Sequence, residues 1–313
     1  MENQMGINQL INSLVNQTGI PPERRSKIEK MIRQLIESNE MLAASEHSKI
    51  VVAMGSAREP SDSYIFKLAT AFGRVSAQAG FDCLSGGGSG TMAAFNGGAF
   101  EACPESTACN TRSIGLNLQA PWIWEADRNH FQTHPVYHAD FATRLWTFFD
   151  SPIGVTFFPG GIGTKLEVAY GLNTLQCGVH EEIPLILIED GNFWDAEYDM
   201  FKKQLAREYI NKSDMRFLKR VLIKVKVKPT EDPKKIEAQA KSILKRIQNW
   251  PQRRLEMIKS DFESDFGEAP GVLQVHTKAG QNLLFVRADV DTFKTLPNAF
   301  QGLKLVLESE SES

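Results

Sequence analysis

Three times in this chain a short apolar run passes at once into a loop of small residues and then into a helix-length segment. IVVAM (50–54) leads into GSAREPSDS (55–63), FDCL (81–84) into SGGGSGTM (85–92), and IGVTFF (153–158) into PGGIGTKLE (159–167). Further apolar runs stand at 113–118, 184–188 and 221–227, with a weaker one, HPVYH, at 134–138. The segments 62–79, 90–103, 140–150, 163–178 and 194–209 have helical length. Strands this short alternating with helices argue for βαβ units and a parallel sheet covered on both faces. Crossovers of that kind are right-handed. The expected fold class is therefore α/β, a doubly wound parallel sheet whose ligands bind beyond the carboxyl ends of the strands.

This core is expected to span residues 48–248. Residues 1–47 read as a helical extension, with one apolar stripe on Ile7, Leu10, Ile11, Leu14 and Val15, a break at Pro21-Pro22, and a second stripe on Ile28, Ile32, Leu35 and Ile36. Residues 249–308 read as a small appendage of mixed, β-rich character. In it LQVHT (273–277) and NLLFVRADV (282–290) form a hairpin around Ala279-Gly280, and LKLVLE (303–308) could add a third strand. Residues 309–313 are an acidic, low-complexity tail.

Composition narrows the function classes. Net charge is −3, from 35 basic and 38 acidic residues, so no overall basic field for nucleic acid exists. The local run of Lys and Arg in 216–254 has few interleaved aromatics and reads as a solvated face. No signal peptide and no membrane-spanning run is read. Cys83, Cys103, Cys109 and Cys177 form no CxxC pair. A zinc ribbon, a redox dithiol and a disulfide scaffold are therefore not expected, and a reducing compartment, most simply the cytoplasm, is. Cys83 and Cys177 are expected to pack as small buried residues. His134 and His138 stand in a strand or loop, where they are not expected to face one metal, and no metal is expected.

The glycine loops carry the functional signal. Glycine lets backbone N–H groups approach an anion closely, and a helix N-terminus directs partial positive charge at it. One such loop is a tight turn as readily as a site. Three at strand carboxyl ends line one edge of the sheet and converge on a cleft for an anion. None is a Walker A loop, because none ends in GK[ST]. Glu167 is expected on the first turn of the helix that the third loop opens. Arg144 stands in an otherwise mostly apolar run, FATRLWTFFD, and would either pair with Asp140 or Asp150 or reach the cleft.

Read together, these motifs resemble the LOG (Lonely Guy) family of nucleotide 5′-monophosphate phosphoribohydrolases, many of which carry a lysine decarboxylase label. PGGIGTKLE is similar to the family's PGGxGTxxE signature. GSAR (55–58) and GGGSGTMAAFNGGA (86–99) match its first two loops, and Arg144 stands where the family has its catalytic arginine. The likeness spans about residues 48–190, with weaker support to 228. It departs where Leu145 replaces a usual Lys, where Lys165 replaces the first glutamate of TLEE, and in Trp122 and Trp124. No pyridoxal-phosphate motif is read.

The resemblance implies a Rossmann-like fold and a homodimer or higher homo-oligomer. It implies hydrolysis of the N-glycosidic bond of a nucleoside 5′-monophosphate, AMP-like or a cytokinin riboside monophosphate, to a free base and ribose 5-phosphate without a cofactor. Glu167 would stabilise the oxocarbenium-like ribosyl state and orient the water, and Arg144 would hold Glu167 and contact base or ribose. Gly160, Gly161, Gly163 and Thr164 would bind the 5′-phosphate. Ser56, Arg58, Gly87 and Gly88 would add contacts, Arg58 being equally suited to a structural ion pair, and Asn117 would touch ribose or base. Trp122 and Trp124 either stack on a purine or pack in the core or a dimer contact. The alternative is a non-catalytic carrier or sensor that holds a nucleotide or phosphorylated cofactor in the same cleft.

Overall fold

The computed structural model describes residues 21–43, 49–103, 110–119, 128–266, 274–278 and 281–285, besides the isolated positions 9, 13 and 19. Its centre is a seven-stranded sheet in the order β4-β3-β2-β1-β5-β6-β7, and every neighbouring pair is parallel. The strands are β1 (Ile50–Met54), β2 (Asp82–Ser85), β3 (Ser113–Leu118), β4 (His134–His138), β5 (Pro152–Phe157), β6 (Leu185–Glu189) and β7 (Leu222–Lys226). β1 and β6 are buried at every position, as strands covered on both faces must be. β4 is the edge, mostly exposed, and tolerates Pro135 there because an edge strand can leave an N–H side unpaired.

The helices are α1 (Pro22–Ala43), α2 (Tyr64–Gln78), α3 (Thr91–Ala102), α4 (Phe141–Asp150), α5 (Ile162–Gln176), α6 (Asp195–Ala206), α7 (Lys212–Val221), α8 (Pro233–Gln248) and α9 (Trp250–Phe266). They fall into two layers: α2 packs on α3 and α8, while α1, α4, α5 and α7 pack in succession. The chain winds outward from β1 to β4, returns through α4 to β5, and winds outward again to β7. This is the doubly wound, Rossmann-like sheet read from the sequence. Its switch point lies between β1 and β5, where ligand crevices of such sheets open.

Several expectations need correction. α7, opened by an Asn211–Asp214 capping box, occupies a stretch read only as basic. Cys177 is exposed at the end of α5, whereas Cys83 is buried. Cys103 is disulfide-bonded, so the thiols are not all reduced. Bridging depends on the separation of the two Cα atoms, which a spacing motif does not report. The hairpin exists as antiparallel β8 (Gln274–Lys278) and β9 (Gln281–Phe285). The stripe at 7–15 lies outside the described residues apart from positions 9 and 13, and the strand at 303–308 and the tail lie wholly outside them.

Candidate functional site

β2, β1 and β5 are adjacent, so the three glycine loops emerge side by side. The backbone stitches them together. Ser56 N donates to Pro159 O at 3.2 Å, and Ser56 O accepts from Thr91 N at 2.9 Å. Ser89 Oγ donates to Ala57 O at 2.7 Å. The approach is close enough to require glycine. A Cβ on Gly90, whose φ is +61°, would run into the Ser56 carbonyl oxygen. One on Gly55 would lie 2.9 Å from the Thr91 side chain.

Two helices start at this junction, and both have glycine as N-cap. Neither Gly90 on α3 nor Gly161 on α5 offers a side-chain cap bond. By contrast, α2 is capped by Ser63, α4 by Asp140 and α8 by Asp232. First-turn N–H groups without a side-chain acceptor are what an anion takes up, and two helix dipoles add their field at one place. Thr164, the third residue of α5, is buried beside Gly160. Gly161 and Gly163 are exposed. Thr91, the first residue of α3, is buried with no hydrogen-bond partner for its Oγ1 among the described residues.

The second loop is held from beneath by its carbonyls. Gly86 O accepts from Arg144 Nη2 at 3.0 Å. Gly87 O accepts from Asn129 N at 2.9 Å and Gln132 Nε2 at 2.7 Å. Gly88 O accepts from Asn129 Nδ2 at 2.9 Å. Asn96 ties the same scaffold to β2 and β3 through Ser85 and Ser113. Loop 2 therefore turns three successive carbonyls toward the protein. Asn129 and Gln132 lie in a stretch that carried no motif, Asn96 lies within the second motif without a role read for it, and sequence reasoning missed all three.

Asn117 is part of this scaffold. Its Nδ2 donates to Gly115 O, Gln132 Oε1 and Val136 O, and its Oδ1 accepts from Gln132 Nε2. Arg144 is 2% exposed, with Nε donating to Leu116 O at 2.8 Å as well as Nη2 to Gly86 O, and its guanidinium lies over the Phe148 ring. Asp140 caps α4 and pairs with Lys27 instead of meeting Arg144 through its side chain. Glu167 is half-buried on α5. It is the sixth residue of that helix and so lies on the second turn, not the first, because the helix begins at Ile162. The macrodipole weakens beyond the first turn, so Glu167 lies further from that field than its spacing from Pro159 implied. Ser56 accepts from the N–H of exposed Arg58 through Oγ at 3.1 Å, closing a small turn in loop 1. Trp122 and Trp124 lie outside the described residues.

One titratable group lies against this scaffold. His138 at the end of β4 is fully buried, and burial first, then the Arg144 charge, pushes its imidazole down to about 4. On a strand, His134 and His138 do share a face, but four residues separate them by roughly 13 Å, too far for one metal. Among the described residues no three His, Cys, Asp or Glu side chains gather as metal ligands.

No curated protein matches the chain. Among solved structures it resembles one titled TM1055, at 20% identity and TM-score 0.42, covering 63% of this chain and 99% of that one. It also resembles a molybdenum cofactor carrier protein from Chlamydomonas reinhardtii, at 19% identity and TM-score 0.40, covering 64% and 99%. A molybdenum cofactor binding protein from Rippkaea orientalis is similar at 19% identity and TM-score 0.39, covering 63% and 98%. No described helix is long and apolar enough to cross a membrane. Residues 92–228, from α3 through β7, match the family model described as possible lysine decarboxylase. Over those residues, less than half of its length, the chain is similar to that family.

Proposed function

We propose that the chain hydrolyses the N-glycosidic bond of a nucleoside 5′-monophosphate, releasing a free base and ribose 5-phosphate. The observation that carries this reading is the junction of two helix N-termini, α3 and α5, both without side-chain caps and meeting at Gly55-Ser56, with Glu167 one turn further along α5. Donors of this kind suit a phosphate. They offer no acceptor to the ammonium groups of lysine.

In this reading the first-turn N–H groups of α5 at Ile162, Gly163 and Thr164, with the Thr164 hydroxyl, take the 5′-phosphate. Fixing the phosphate places the ribose, and that positioning is what a remote anchor contributes to the barrier. Glu167 then faces C1′. As a carboxylate it stabilises the oxocarbenium-like charge and orients the attacking water, while the C1′–N bond breaks and its electron pair leaves with the base. The base must gain a proton, which water supplies. Gly87, Gly88 and Ser56 line the other side of the cleft. Asn117 and Arg144 act through the loop carbonyls and strands they hold.

We also assign the chain to a homo-oligomer. Ile162, 89% exposed, and Leu166, 45% exposed, lie on the helix of Glu167 and are the apolar surface that a second copy would cover.

A second reading is binding without turnover. The near-complete burial of Arg144 favours it, because a guanidinium that braces Leu116 O and Gly86 O serves the loops, and the loops are what a carrier needs. Purified protein incubated with nucleoside 5′-monophosphates separates the two. Free base and ribose 5-phosphate support hydrolysis, whereas saturable nucleotide binding with no product supports the carrier.

A further inference from the structure

Helix α1 precedes the family-matched residues, and its burial is inverted. The stripe Ile28, Ile32, Leu35 and Ile36 is only half-buried, whereas Gln34 is 5% exposed and Ser38 is fully buried. A surface helix ordinarily buries its apolar face. Burying polar groups costs free energy unless they are hydrogen-bonded. Here the polar groups are spent on one corner of the fold.

That corner is the turn from β4 into α4. Ser38 Oγ meets His138 Nε2 at 3.2 Å, Gln34 Oε1 accepts from Ala139 N at 2.8 Å, and Lys27 pairs with Asp140 at 3.5 Å. Three consecutive residues are thus each held from α1. The other end of α1 is anchored as well. Arg112 Nη1 donates to Met41 O at 2.6 Å, and Arg112 Nε donates to buried Asp82 Oδ2 at 2.8 Å. From Lys27 to Met41 the helix runs roughly 21 Å, enough to span from the carboxyl end of edge strand β4 to the start of β2.

The corner leads straight to Arg144. Asp140 caps α4, and Thr143 Oγ1 bridges Asp140 O at 3.0 Å and His138 Nδ1 at 3.2 Å. One residue on, Arg144 reaches Gly86 O. A shift of the corner therefore moves the donor that holds the first carbonyl of the glycine loop.

We propose that α1 is a strut for the glycine-loop site. Gln34 and Ser38 are positioning residues: they fix the β4–α4 corner so that Arg144 keeps the Gly86 carbonyl turned away from the cleft and the loop N–H groups turned toward it. The consequence for ligand affinity rests on the cleft being the nucleotide site argued above. The mechanical link does not.

The test uses the full chain without ligand and reads amide hydrogen exchange by mass spectrometry. Gln34→Met removes the acceptor for Ala139 N–H, Gln34→Glu keeps one, and Ser38→Ala removes the contact to His138. In Gln34→Met and Ser38→Ala, exchange over residues 84–92 is expected to quicken by about tenfold, with 159–164 unchanged. Gln34→Glu is expected to restore the slow rate over 84–92. Quickened exchange confined to 22–43 and 134–140, with 84–92 at the wild-type rate, would overturn the proposal. So would equal quickening in both glycine loops, which is general loosening. Should both buried variants fail to fold, Lys27→Ala, on an exposed side chain, takes their place with the same expected ordering of segments and the same overturning results. Calorimetric titration with AMP is the second arm. Weaker AMP binding in step with the exchange at 84–92 joins the strut to the site. Absence of AMP binding in the wild type refutes the nucleotide reading, and the exchange data still decide the strut.

Discussion

Arg144 Nη2 donates to the carbonyl oxygen of Gly86 at 3.0 Å. That bond joins a buried arginine of α4 to the first glycine of the second loop. Its Nε holds Leu116 O in β3 at 2.8 Å, so one guanidinium fixes a loop against a strand. The loop can then present N–H groups to a ligand because its carbonyls are occupied elsewhere.

Replacing Arg144 by Met would leave both carbonyls without that donor. Unsatisfied buried acceptors each cost about 1–3 kcal/mol, so with two of them Arg144→Met is expected to lose roughly 2–6 kcal/mol of stability. Chemical denaturation at constant pH checks it. A loss below about 1 kcal/mol would show that the brace is dispensable.

Two glycines of the site should behave in opposite ways. Gly90 has φ +61°, and a Cβ there would strike the Ser56 carbonyl, so Gly90→Ala is expected to destabilise by about 1–3 kcal/mol. Gly163 has nothing within 4 Å of a Cβ and lies inside α5, so Gly163→Ala is expected to stabilise by up to about 1 kcal/mol. Nucleotide affinity should nevertheless fall in Gly163→Ala, because the added methyl stands where the phosphate approaches. Paired melting and titration experiments read both effects. Unchanged affinity would place the phosphate elsewhere.

His138 sets a pH dependence. Its imidazole is pushed down to about 4 in the folded chain, from an ordinary value of 6.5. The unfolded chain therefore binds the proton first as pH falls. The contribution to stability is complete above pH 6.5 and is lost progressively as pH drops toward about 4. Denaturation midpoints between pH 7 and pH 4 should fall less steeply in His138→Gln than in the wild type. Parallel slopes would mean that the ring is not the titrating group.

The 5′-phosphate should matter more than the base. Adenosine lacks the anion that the proposed mechanism anchors at the helix ends, so its kcat/KM is expected to fall by at least about 100-fold relative to AMP. Comparable turnover of the two would remove phosphate anchoring from the mechanism.

The parallel sheet was legible because strand and helix leave different periods, and the glycine loops because small residues at strand ends have few other uses. The switch point followed once β1 and β5 proved adjacent. What stayed hidden was polar and long-range. Nothing in their local patterns marks Asn129 and Gln132 as the residues that hold Gly87 and Gly88, since an amide's partners depend on which segments fold together. Glu167 was placed a turn too early, because the PGG loop enters the helix sooner than its spacing from Pro159 implied. In α1 the apolar stripe drew attention, while the buried line is Gln34, Ser38 and Leu42. The Cys103 bridge likewise depends on chain geometry that no motif encodes.

The most direct measurement is product release from a panel of nucleoside 5′-monophosphates, with Glu167→Gln alongside. The wild type is expected to yield free base and equimolar ribose 5-phosphate from at least one nucleotide. Glu167→Gln should bind that nucleotide with similar affinity and turn it over at least about 100-fold more slowly. Product formed equally well by Glu167→Gln, or no product from any nucleotide that the wild type demonstrably binds, would contradict hydrolysis at this site.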